Sequence, residues 1–61
     1  MRFKISKSRD GQYYFEIQAA GNYETLATSE MYKRPDKRDV LKAIDLIAAG
    51  AAGAQVVDDT D

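Results

Sequence analysis

The sequence predicts an α+β fold of order βββαβ: an antiparallel three-stranded meander, one helix packed on the sheet, and a short C-terminal strand completed by dimerisation. Two observations carry most of this. Three strand-length segments near the N-terminus alternate polar and apolar residues and are separated only by short Gly- or Pro-containing breaks. One later segment switches to helical periodicity. The breaks are too short for the crossover that parallel neighbours need, so consecutive strands pair antiparallel.

The first strand is Arg2 to Lys7, RFKISK, with Phe3 and Ile5 on one face. Ser8-Arg9-Asp10-Gly11 follows, and Asp-Gly between alternating segments is a hairpin signal. The second strand, Gln12 to Ala19, directs Tyr13, Phe15, Ile17 and Ala19 to the core, and Tyr14, Glu16 and Gln18 to the other side. Ala20-Gly21-Asn22-Tyr23 forms the next turn, where Gly and Asn tolerate positive φ. The third strand runs roughly from Glu24 to Glu30, with Leu26 and Thr28 on one face and Ala27, Ser29 and Met31 on the other.

Arg34-Pro35-Asp36 ends that strand, because proline disfavours helix at the residue before it and suits the first helical turn. The helix is expected to start at Pro35 or Asp36, with Asp36 and Asp39 at its positive dipole end. Val40, Leu41, Ile44, Ile47 and Ala48 make a stripe facing the sheet. Leu46 points nearly opposite Ile44, as a lone exposed leucine or as part of a second interface. Gly50 closes the helix, Ala51-Ala52-Gly53 connects, Ala54 to Asp58 is the final strand, and Asp59-Thr60-Asp61 is a solvated tail. Whether the final strand joins its own sheet or a partner's is left open by the pattern.

At 61 residues the chain makes one domain, 1–61, and a domain of this size has a thin core. The expected core is Met1, Phe3, Ile5, Tyr13, Phe15, Ile17, Leu26, Val40, Leu41, Ile44, Ile47 and Val56. With no cysteine there is neither a disulfide nor a thiolate metal site, and with no histidine the commonest metal ligand and neutral-pH base is missing. No EF-hand spacing is present, so no metal and no cofactor is expected. Oligomerisation is then the remaining stabiliser, and a homodimer is expected. No apolar run approaches a membrane span and the N-terminus lacks a signal-peptide core, so the expected location is cytoplasmic, without a membrane partner. The net charge of −1 divides unevenly: residues 1–42 carry all nine Lys and Arg against six acids, and residues 43–61 carry four Asp and no base. That polarity suits self-complementary packing of two chains.

Several motifs read in order point to a family. Gly11-x-Tyr13-x-Phe15-x-Ile17-x-Ala19, then Ser29-Glu30-x-Tyr32, then Ile44-x-x-Ile47 and a closing Ala54-Gln55-Val56-Val57-Asp58 resemble the YegP-like domains, small prokaryotic proteins of uncharacterised function. The resemblance covers almost the whole chain. It implies a βββαβ unit that occurs as tandem repeats or as single copies pairing as homodimers, and it supplies no catalytic residue. The chain departs from the family pattern at Gly21-Asn22-Tyr23, and in the longer, more charged Lys33-Arg34-Pro35-Asp36-Lys37-Arg38 before the helix.

Catalysis has no candidate residues here: without His or Cys, Ser29, Glu30 and Lys33 are left, and strand neighbours that alternate sides cannot face one another. Gly50-Ala51-Ala52-Gly53 follows a helix and lacks the Lys and Ser/Thr of a phosphate loop. Tyr14 is the one aromatic of its strand left outside, beside Glu16, a poor platform for an anionic polymer. Tyr14, Tyr23, Met31, Leu46 and Val57 are the candidate dimer-interface residues, since interfaces favour aromatic residues and methionine. Ser29, Glu30 and Tyr32 form either a polar ligand notch or local backbone contacts. Lys33, Arg34, Lys37 and Arg38 are the candidate phosphate contacts, with Asp36, Asp39 and Asp45 placed to neutralise them. The preferred reading is a non-enzymatic homodimeric module acting in structure or protein interaction. The alternative is a weak nucleic-acid binder using segment 33–38.

Overall fold

A computed structural model describes residues 1–33 and 36–60. It consists of β1 (Arg2–Lys7), β2 (Tyr13–Gln18), β3 (Thr25–Thr28), α1 (Arg38–Gly50) and a 3₁₀ turn, Ala51–Gly53. The three strands form one antiparallel sheet in the order β1-β2-β3. The expected α+β meander with one helix is therefore present.

The β1–β2 register places Phe3 opposite Ile17 and Ile5 opposite Phe15, which puts the apolar residues of both strands on one face. The hairpin that sets this register closes as its sequence requires. Ser8 and Gln12 are joined by Ser8 N–H to Gln12 C=O at 2.8 Å, and Gly11 takes φ +86°, open to glycine at little cost. In the second turn Gly21 takes φ +86°, but the other left-handed residue is Tyr23 at φ +58° and not Asn22. Asn22 instead accepts the Glu24 N–H on its side-chain oxygen at 3.1 Å, a local bond that pins the turn and carries Tyr23 into its unusual conformation.

The third strand is shorter than its pattern suggests, because the chain twice inserts an extra residue against β2. Thr25 and Ala27 pair with Gln18 and Ile17, leaving Leu26 in a bulge. Beyond Thr28 a second extra residue is accommodated before pairing resumes as an isolated bridge, Tyr13 to Tyr32. Ser29 spans this gap. Its N–H donates to Phe15 C=O at 2.9 Å, and its hydroxyl takes the place of the missing carbonyl by accepting the Phe15 N–H at 2.9 Å.

The helix begins at Arg38, later than the sequence suggests; Pro35 lies outside the described residues. Lys37 precedes it without a side-chain cap, and Asp36 supplies a substitute by accepting the Arg38 N–H at 2.9 Å. Val40, completely buried, anchors the helix, while Ala43, Ile44 and Ile47 are half-buried along the same stripe. Leu41 lies on the flank and is 49% exposed, a correction to its expected core place. The α-helix ends at Gly50, as expected, and the chain then tightens into the 3₁₀ turn before Ala54 turns extended (φ −67°, ψ 138°).

Among the described residues the buried apolar core reduces to Phe15 and Val40. Phe3 meets Phe15 edge-on at 6.1 Å between ring centroids. Met1, Leu26 and Val56, expected inside, are exposed: Leu26 because of its bulge, and Val56, at 91%, because Ala54–Asp58 forms no strand within the single chain. With nothing lying over the tail, its valines have no surface to pack on.

Candidate functional site

Helix and sheet diverge at one end. Met1 just before β1, Phe3 from β1, Ile17 from β2, Ile47 and Ala48 from α1, and Ala51 and Ala52 from the 3₁₀ turn line an open groove of about 570 Å³. Its wall follows from the strand register, since Phe3 and Ile17 are direct partners on the helix-facing side. It is wide because small alanines end the helix where bulkier residues would reach the sheet. Every lining residue is apolar, so the groove can bury hydrophobic groups but offers no side chain for acid–base work.

The opposite face of the sheet carries a polar cluster. Arg2 and Gln18 are direct cross-strand partners, and the Arg2 Nε–H donates to Gln18 Oε1 at 2.6 Å. The Arg2 guanidinium lies 3.6 Å from the centroid of the Tyr23 ring, a close cation–π stack. Gln18 is consequently 6% exposed, although its position in the alternation assigns it to the solvent face. Neither strand alternation nor turn preference points to this cluster. Its signal is the pairing of a strand-end arginine with a glutamine, capped by an aromatic residue from the following turn.

The candidate interface residues are not brought together in the single chain. Tyr14, half-buried, faces away from the helix opposite Ser6, and Tyr23, also on that side, holds Arg2. Met31 sits beyond β3, Leu46 is 68% exposed on the helix flank, and Val57 is exposed in the tail. None of the five lines the groove.

The Ser29, Glu30 and Tyr32 group spends its polar atoms locally. The Ser29 hydroxyl also donates to Glu30 C=O at 2.8 Å, and Tyr32 exchanges backbone bonds with Tyr13. The Tyr32 ring packs on the core, and Glu30 is exposed. Of the basic segment, Lys33, Lys37 and Arg38 are exposed, and Arg34 lies outside the described residues. Arg38 approaches Asp36 at 3.8 Å, an exposed pair worth about 0–1 kcal/mol.

Two exposed carboxylates depart from ordinary behaviour. The Ser8 hydroxyl donates to Asp10 and holds its pKa below 3.8, and the Thr60 hydroxyl does the same for Asp58. The Asp10 bond lies within the β1–β2 turn, and the Asp58 bond lies in the C-terminal tail, where the Thr60 N–H also donates to Asp58 at 3.0 Å. Among the described residues no group of three or more acids converges as a metal site would require. Nor is any helix among them long and apolar enough to cross a membrane.

Comparison with known proteins places this architecture. Residues 8–58 match the family described as Domain of unknown function (DUF1508). Over 59 residues the chain is 37% identical to the UPF0339 protein Atu5359 of Agrobacterium fabrum (strain C58 / ATCC 33970), covering 97% of this chain and 90% of that protein. No solved structure matches the chain. The matched stretch takes in the Asp-Gly hairpin, the Ser29-to-Tyr32 bulge and the helix, and on these grounds the chain belongs to the DUF1508 family of YegP-like domains, whose function is unknown.

Proposed function

We propose that the protein is a non-enzymatic module that works as a homodimer, in which a second copy covers the apolar groove and takes up Ala54–Asp58 as a fourth strand. The observation that carries this reading is the groove itself: with Phe15 and Val40 as the buried apolar core among the described residues, an apolar wall of seven residues is left open to water. Covering such a wall is the main stabilisation left to a domain without disulfides. Further support comes from the tail. Its first residue is already extended, Val56 and Val57 are 91% and 75% exposed, and the outer edges of β1 and β3 are unpaired within this sheet. The excess of base in residues 1–42 and of acid in residues 43–61 favours a self-complementary match of the two copies, base of each against acid of the other.

Sedimentation equilibrium over a wide concentration range tests the proposal. A dimer is expected, together with dissociation in the Val57→Asp variant. A wild-type chain that stays folded and monomeric throughout would overturn it.

A further inference from the structure

We propose that the outer face of the sheet carries a recognition site for a carboxylate monoanion, centred on Arg2. The guanidinium is held in place from two directions. Its Nε–H is bonded to Gln18, which is 6% exposed, and its plane is backed by the Tyr23 ring at 3.6 Å. Tyr23 itself is held at φ +58°, a conformation that a bulky residue rarely adopts, and this is what puts its ring beneath the arginine. Exposed arginines are ordinarily mobile, and binding must then overcome the entropy of ordering them. Here that ordering has already taken place in the free chain.

With Nε occupied, the two terminal nitrogens remain as a planar fork, the geometry that matches the two oxygens of a carboxylate. No carboxylate of the described residues forms an ion pair with Arg2. The surrounding charge selects the class of ligand. Lys4 shares the face two residues along β1, but Glu16 lies directly across from it and is steadied by the Thr25 hydroxyl at 3.1 Å. Among the side chains of this face, Arg2 and Lys4 against Glu16 leave one net positive charge, which suits a monoanion better than a phosphate dianion. The face is opposite to the groove that a second copy is proposed to cover.

The Nε–Hε resonance of Arg2 in ¹⁵N-labelled full-length protein provides the readout. Titration with acetate, and separately with N-acetyl-aspartate amide, against sodium chloride at equal ionic strength should give saturable shifts of this resonance and of the Gln18 side-chain amide. Tighter binding of the aspartate amide assigns the site to acidic side chains, and tighter binding of acetate to small free acids. Arg2→Lys keeps the charge but loses the fork, and roughly tenfold weaker binding is expected. Tyr23→Gly suits the left-handed backbone while removing the stacked ring, and it should weaken binding in a chain that remains folded. Shifts equal to those caused by chloride, tighter binding of inorganic phosphate, or undiminished binding by Arg2→Lys would each overturn the proposal.

Discussion

The Tyr32 ring stacks on Phe15, with centroids 6.4 Å apart and planes inclined by 21°. Tyr32 lies outside any regular strand, yet its backbone bridge to Tyr13 and its ring contact make it the lid of the small core. The link between a loop residue and the most buried aromatic residue of β2 governs how the fold responds to change.

Replacing Phe15 by alanine removes the ring on which both Phe3 and Tyr32 pack. Truncations of this kind cost about 3–5 kcal/mol. In so small a domain that is expected to abolish the cooperative thermal transition followed by circular dichroism, while Phe15→Leu retains a transition at lower temperature.

Ser29→Ala deprives the Phe15 N–H of its acceptor. A loss of about 1–3 kcal/mol is expected in urea denaturation. Amide exchange at Phe15 should quicken more than at Ile17, a selectivity that a general loosening of the domain would not produce.

Gly21→Ala adds a methyl group with no atom within 4 Å of it, so packing alone forecasts no effect. The residue has φ +86°, however, and alanine there is expected to cost on the order of 1 kcal/mol. A neutral result in chemical denaturation would show that the turn relaxes to another conformation.

Asp10 gives the acid limb of stability a definite sign. Its folded pKa is lowered from 3.8, first by the Ser8 hydroxyl, so its contribution is complete above the unfolded value and fades as pH falls through the folded one. Ser8→Ala should raise the Asp10 carboxyl pKa, read by carbon-detected titration, and flatten the stability profile below about pH 4. Above that range the mutation should leave the slope of stability against pH unchanged.

How far the sequence revealed this molecule depended on where local chemistry decides structure. The Asp10-Gly11 hairpin and the apolar faces of β1 and β2 were legible, because turn preference and alternation act within a few residues. Leu26 was misplaced because a bulge at Ile17/Gln18 breaks the period that locates side chains. Leu41 was misplaced because the buried stripe is narrower than the apolar one. Gln18 was placed on the face away from the core, as found, but its burial there was not legible, because its cover, Tyr23, comes from a turn whose left-handed conformation no residue type there announces. The final strand is a pairing of backbone with backbone, and the valines that suggest it do not name the edge that would receive it.

The meander also sets a timescale. Each strand pairs with the one adjacent in sequence, and the two loops between them are short, so the sheet assembles through small closures that are entropically cheap. Sheets of such local connectivity form rapidly for their class. Refolding of the hairpins should therefore proceed at a rate independent of protein concentration, and any slower, second-order phase in a stopped-flow experiment belongs to the encounter of two chains.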